Sequence, residues 1–228
     1  MKNTTIACIF DLDGVLVDTA VYHYQAWKKL ANSLGFDFSH EQNEQLKGVN
    51  RMRSLEMILN WGQVSKTAAE KEELAALKNS WYVDMISKMS ATEVLPGSLE
   101  LLQQLHAQKI KIALGSASKN SGLILERTDL THFFDAIVDG NSVTTSKPDP
   151  EVFVKGAELL NAAAEDCIVF EDAAAGVQAA IAAKMAVVGV GEAINLPGAD
   201  RIIKDLSGVT VEELIALIKD KKEAKNRV

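Results

Sequence analysis

In the stretch IACIFDLDGVLVDT, residues 6–19, Asp11 and Asp13 stand one residue apart and Gly14 follows at once. The apolar run before them reads as a buried strand, so two carboxylates repel each other where little water screens them. A divalent metal ion would answer that charge, with one carboxylate free to act as a nucleophile. Three more strings end predicted strands in polar residues. IKIALGSASKNS delivers Ser116, Ser118, Lys119 and Asn120; TTSKPDP places Lys147 ahead of Pro148; IVFEDAAAG gives Glu171 and Asp172 before a helical pattern. Ligands of an open parallel sheet bind beyond the carboxyl ends of its strands, which would bring all four strings to one edge.

Each string alone has a simpler explanation. An aspartate after a strand can cap a helix or solvate a turn, as can Glu171 and Asp172. Ser116 or Ser118 can cap as well, and a lysine before proline commonly lies in an exposed loop. Together, those explanations gather four acids and one lysine at one sheet edge, where repulsion costs stability. Metal-assisted phosphoryl transfer accounts for the whole set. Mg²⁺ prefers oxygen ligands and a few carboxylates, leaving positions for water and phosphate. Asp11, Glu171 and Asp172 can supply carboxylates and Asp13 its backbone carbonyl, while Lys147 and the Ser116 hydroxyl stabilise phosphoryl oxygens.

The elements that must hold these groups follow from the pattern of the chain. Short β-branched runs at 5–10, 110–115, 136–138, 167–171 and 186–190, with a weaker one near 201–203, predict strands. Helical patterns alternate with them: PGSLELLQQLHAQK, opening at Pro96 with leucines 99, 102 and 105 on one face, then PEVFVKGAELLN, AAGVQAAIAAK and TVEELIALIKDKK. This alternation predicts an α/β fold, a Rossmann-like doubly wound parallel sheet. The stretch 15–92 breaks the rhythm with helical patterns only: AVYHYQAWKKLANSLG, RMRSLEMILNW and TAAEKEELAALKNSWYVDMISKM. An all-helical cap domain inserted after the first strand is expected there, with residues 1–14 and 93–228 forming the core. The charged tail, 219–228, is expected to fray.

Composition narrows the class. The chain has 228 residues, 47% hydrophobic and 24% charged, with a net charge of −7. That balance suits one large core or a core with a smaller domain, and argues against nucleic acid or an anionic membrane as partner. Cys8 and Cys167 each sit in an apolar run with no CxxC or Cys/His cluster, which fits buried packing in a reducing, cytoplasmic setting. The short apolar segment at the N-terminus does not read as a signal peptide, and no run is long enough to span a membrane.

The order and spacing of DLDG, the Ser116 loop, SKPDP and FEDAAAG resemble the haloacid dehalogenase superfamily along the whole chain. That resemblance implies that Asp11 attacks phosphorus to form an aspartyl phosphate and Asp13 is the general acid/base. It also implies Mg²⁺ held by Asp11, Asp13, Glu171 and Asp172. Within the superfamily, the inserted strings DTAVYHYQAWKKLA, NEQLKGVNRMRSLEMIL and ALKNSWYVDMI resemble the β-phosphoglucomutase family. Its members interconvert β-glucose 1-phosphate and glucose 6-phosphate through β-glucose 1,6-bisphosphate. The likeness implies that Arg51, Ser118, Lys119 and Asn120 hold the phosphate not being transferred, in a loop that includes Ser116 and Ala117. Trp27, Leu46, Lys47, Gly48 and Val49 would line the sugar site, Lys78 would lie near its rim, and Thr19 and His23 would position Asp13. Two departures, EDAAAG without a hydroxyl after Asp172 and Asp149 in SKPDP, replace no catalytic group. The expected partner is a small sugar phosphate and the expected state a monomer. A sugar-phosphate phosphatase on the same core is the nearest alternative, and a phosphoacceptor without turnover a remote one.

Overall fold

The structure, a computed structural model, describes residues 6–225. Six parallel strands form one sheet: β1 (Ala7–Phe10), β2 (Lys111–Gly115), β3 (Ala136–Val138), β4 (Cys167–Glu171), β5 (Ala186–Val190) and β6 (Arg201–Ile203), in the spatial order β3-β2-β1-β4-β5-β6. The α/β, doubly wound expectation holds, including the weak strand near 201–203. Thr5, placed in the first strand by sequence, lies outside the described residues. The strand order reverses between β1 and β4, which puts the crevice of the sheet at the ends of those two strands.

Their apolar runs are continuous because the sheet is buried on both faces. Cys8 and Phe10 point to one side with Ile112, Leu114, Ile168 and Phe170, against α5 (Ser98–Ala107), α6 (Ser121–Arg127) and α9 (Val211–Lys225). Ala7 and Ile9 point to the other with Ala113, Cys167 and Val169, against α7 (Glu151–Leu160) and α8 (Ala174–Ala182). Cys8 and Cys167 therefore lie on opposite faces, both free and buried.

Four helices follow β1 without an intervening strand: α1 (Ala20–Ser33), α2 (His40–Glu44), α3 (Arg51–Trp61) and α4 (Ala68–Ile86). Trp27, Leu30, Phe38, Leu55, Ile58 and Leu59 form an apolar cluster of their own there. The opposite side of the layer, through Ala26, Tyr82 and Ile86, joins the core cluster that also holds Val15, Leu16 and Val17. The outgoing and returning chains run side by side: Leu95 N–H donates to Leu16 O at 2.9 Å and Asp18 N–H to Glu93 O at 3.2 Å. Both connections between the two layers therefore pass through one point.

Three expectations need correction. Pro96 does not open α5, which starts at Ser98 with Gly97 as its left-handed N-cap; Leu99 is exposed, and the buried stripe is Leu101, Leu102 and Leu105. Pattern alone missed the five-residue α2, whose signal is the Ser39/Gln42 capping box, and α6 after the Ser116 loop. The tail does not fray at residue 219. Helix α9 continues to Lys225, held by Lys221 on Asp200 at 2.5 Å and Lys222 on Asp166 at 2.6 Å. Residues 226–228 lie outside the described residues.

Candidate active site

Parallel pairing of β1 with β4 sets Phe10 beside Phe170, their rings stacked 4.4 Å apart, and Asp11 N–H donates to Phe170 O at 3.0 Å. Asp11 and Glu171 consequently leave neighbouring strands at the same level. Between them stands Lys147, its Nζ 2.5 Å from Asp11 Oδ1 and 2.5 Å from Glu171 Oε1, its side chain 1% exposed over the Phe153 ring. Burial opposes the charge on Lys147, but the Asp11 and Glu171 carboxylates outweigh it and hold the ammonium above the usual lysine range. Glu171 Oε2 also accepts the Ala173 N–H at 3.0 Å.

The turn after Asp13 depends on Gly14. Its φ of +81° is left-handed, and a Cβ there would lie 2.2 Å from Asp172 Oδ2, so glycine lets the Asp172 carboxylate reach the DLDG turn. Asp13 accepts a hydrogen bond from Thr19 Oγ1, at the N-terminal edge of α1. Burial and then the Asp11 charge push the Asp13 carboxyl up to about 6, against the pull of the Thr19 bond. That places it where it can both take and give a proton near neutrality.

The helical layer covers the other side. Lys78, 2% exposed, places Nζ 2.9 Å from His23 Nδ1 and over the rings of Trp27 (4.3 Å) and Tyr82 (4.7 Å). It is thus buried inside this layer and not at a rim, because its long stem packs between two aromatic rings. Burial, with Arg51 nearby, lowers the Lys78 ammonium to about 7; burial, with Lys78 and Arg51, holds His23 neutral well below its ordinary range. Lys47 pairs with Glu44 at 2.9 Å and crosses to Asp172 at 3.4 Å. On the sheet side Ser116 is fully buried and its Oγ accepts the Ser118 N–H at 3.1 Å, while Ser118 Oγ accepts the Asn120 N–H at 3.2 Å.

Most of these groups share one cavity of about 550 Å³. Its walls include Asp11, Asp13, His23, Trp27, Leu46, Lys47, Gly48, Val49, Arg51, Lys78, Ser116, Ala117, Ser118, Lys119, Asn120, Lys147 and Asp172. Thr19 and Glu171 are not in the wall. Thr19 is fully buried behind Asp13, and Glu171, 1% exposed, stands behind Lys147. Sequence reading missed Tyr82, Asn79 and Asn50, which also line the cavity. The available signal was spacing: Tyr82 follows Lys78 by one helical turn.

The carboxylates expected to hold a metal are divided between two lysines. Lys147 bridges Asp11 and Glu171, and Lys47 draws Asp172. Among the described residues, no three Asp, Glu, His or Cys side chains are gathered as a ready-made metal centre. The donor chemistry still fits a hard divalent cation. Asp11, Asp13, Glu171 and Asp172 offer only oxygen and outnumber Lys147 and Lys47. Burial, and the charge of Asp11 beside them, raise the Glu171 and Asp172 carboxyls above their ordinary range, the mark of negative charge in want of a counterion.

Residues 8–190 match the haloacid dehalogenase-like hydrolase family. The chain belongs to this family. It is 44% identical to a β-phosphoglucomutase of Bacillus subtilis over 210 residues, which are 91% of this chain and 93% of the relative. A crystal structure of a β-phosphoglucomutase from Clostridium difficile superposes with a TM-score of 0.92 at 39% identity, covering 96% of this chain and 99% of that one. A phosphorylated carbohydrates phosphatase of Thermotoga maritima is 30% identical over 94% of this chain and 98% of its own. Among the described residues no helix is long and apolar enough to cross a membrane.

Proposed function

We propose that this chain is a Mg²⁺-dependent β-phosphoglucomutase, interconverting β-glucose 1-phosphate and glucose 6-phosphate through β-glucose 1,6-bisphosphate. The observation that carries it is one cavity whose wall combines the acid pair, a buried Asp11 and a half-buried Asp13, with basic groups supplied from the helical layer, Arg51 and Lys78. In this reading residues 15–92 are the cap that selects substrate, and the enzyme works as a cytoplasmic monomer, with every named group on one chain.

Asp11 is the nucleophile that takes the phosphoryl group. Asp13 removes the proton from the sugar hydroxyl that attacks the aspartyl phosphate and returns one in the reverse half-reaction. Thr19, directly, and His23, through the Lys78 it touches, position the Asp13 carboxylate. Lys147 and the Ser116 hydroxyl stabilise the transferring oxygens, while Arg51, Ser118, Lys119 and Asn120 hold the other phosphate of the bisphosphate. Trp27, Leu46, Lys47, Gly48 and Val49 surround the sugar ring. Asp11, Glu171, Asp172 and the Asp13 carbonyl would hold Mg²⁺, which supplies charge neutralisation at the transferring phosphoryl group. Water competes for the aspartyl phosphate, so binding at the distal site must accompany closure of the cap.

Phosphorus NMR with β-glucose 1-phosphate, Mg²⁺ and catalytic bisphosphate tests the reading. Glucose 6-phosphate is the expected product, and free phosphate as the main product instead selects the sugar-phosphate phosphatase.

A further inference from the structure

Asn79 and Asn120 join the two layers at the edge of the cavity. Asn120 Nδ2 donates to Asn79 Oδ1 at 3.0 Å, from the loop after β2 to α4, where α4 packs on α6. Asn120 stands at the N-cap of α6, the position where an asparagine ordinarily turns its side chain onto the helix's own first amides. Here it makes no such cap. The loop is held instead through Ser118 Oγ, which accepts the Asn120 N–H, and through Ser121 Oγ, which donates to Ser118 O at 3.3 Å. The Asn120 amide is spent across the layer boundary at the cost of local helix capping.

On the other partner, the Asn79 amide nitrogen has no hydrogen-bond partner among the described residues, and Asn79 lines the cavity wall. It follows Lys78 directly on α4, so a displacement of Asn79 is shared with the lysine that touches His23. Arg51, from α3, lines the same cavity and forms no ion pair with a carboxylate among the described residues. An anion lodged between Arg51, Lys119 and the Asn120 loop therefore has a donor waiting on α4 and a loop already bonded to it.

We infer that Asn79 is a specificity-determining residue: its hydrogen bond to Asn120 couples closure of the helical layer to occupation of the distal phosphate pocket, and so sets the partition of the aspartyl phosphate between sugar and water. This rests on the mutase reading above. The residue acts through Asn120 and the position of α4, and takes no part in bond making.

The test compares two rates in each variant: glucose 6-phosphate formation from β-glucose 1-phosphate with catalytic bisphosphate, and hydrolysis of acetyl phosphate with no sugar present. Asn79→Ala is expected to lower the first about tenfold in kcat/KM and leave the second within twofold, as loss of one bond at a part-buried interface allows. Asn120→Ala should lower it further, and the double variant should be no worse than Asn120→Ala, because both remove one coupling. Additive losses in the double variant, equal losses in both reactions, or wild-type partition in Asn79→Ala each overturn the inference. Wild-type protein that forms no glucose 6-phosphate overturns the mutase reading itself, which keeps the two failures apart.

Discussion

The sheet edge and the helical layer solve opposite electrostatic problems. At the sheet edge Asp11, Asp13, Glu171 and Asp172 outnumber the lysines that reach them, Lys147, already bonded to two of them, and Lys47, drawn to Asp172 from the helical layer. In the helical layer the balance reverses: among the described residues neither Arg51 nor Lys78 forms a close ion pair with a carboxylate, and Lys78, which feels Asp13 across the cavity, rests on a neutral histidine and two aromatic rings. One half lacks positive charge and the other lacks negative charge. A phosphorylated sugar spanning the cavity supplies the second, and a divalent cation the first. The halves also differ in how their groups are mounted. The acids project from strand ends inside a sheet packed on both faces, whereas the cations ride on helices joined to it by the two connections near Leu16 and Leu95.

The comparison breaks most sharply at its anionic end. Asp11→Asn replaces a nucleophilic anion by a neutral amide in a site whose backbone stays anchored to Phe170. Turnover should fall about 10⁴-fold or more while circular dichroism remains that of the parent protein. Substantial turnover in that variant would remove the nucleophile from Asp11 and with it the distinction between the halves.

The cationic end should affect one reaction and spare another. Arg51→Ala is expected to reduce kcat/KM for β-glucose 1-phosphate about 100-fold, the loss of a charge-assisted phosphate contact, with hydrolysis of acetyl phosphate changed by less than about threefold. Equal losses in both assays would show that Arg51 supports the whole site and not a distal phosphate.

How far these halves were legible in sequence differs for a physical reason. Strand-end acids announce themselves, because a buried apolar run followed by DLDG or ED has a fixed direction and a fixed sheet edge. Helical positions carry less information: Lys78 read as a rim residue, since a pattern cannot say that its stem would lie between Trp27 and Tyr82. The Asn79–Asn120 and Asn50–Ser146 bonds, joining residues 41 and 96 apart in the chain respectively, left no local trace at all. Lys147 shows a third case. Its type and place were legible, but its bridge between Asp11 and Glu171, which parts those acids from Asp172, arises only from the packed geometry.

The excess of acid at the sheet edge predicts how stability responds to a divalent cation. Glu171 and Asp172 have carboxyls raised above their unfolded values, so the folded chain holds protons there that the unfolded chain has lost. Stability from this source is present at low pH and is lost as pH rises from the ordinary carboxylate range through neutrality. Mg²⁺ at about a hundredfold over its dissociation constant adds about 2.7 kcal/mol to the folded state. In a chain of this size that corresponds to a rise in Tm of about 5–10 °C, larger at pH 8 than at pH 5. Calorimetry with and without the metal reads it; a shift independent of pH would detach the metal from these two carboxylates.

The smallest effect sharpens the boundary between the halves, where Thr19 at the start of α1 donates to Asp13 on the sheet side. Asp13 must be ionised to accept the sugar's proton, so kcat/KM should fall as pH drops through about 6, where burial and Asp11 have set its carboxyl. The Thr19 bond favours the ionised form. Thr19→Val removes it and should move the acid limb upward by about one pH unit, near 1.4 kcal/mol. Ionisation of the substrate phosphate falls in the same range, but it is common to both enzymes and cancels in the difference between their profiles. An unmoved limb with a lowered plateau would mean that Thr19 only fixes the geometry of Asp13 and does not tune its proton.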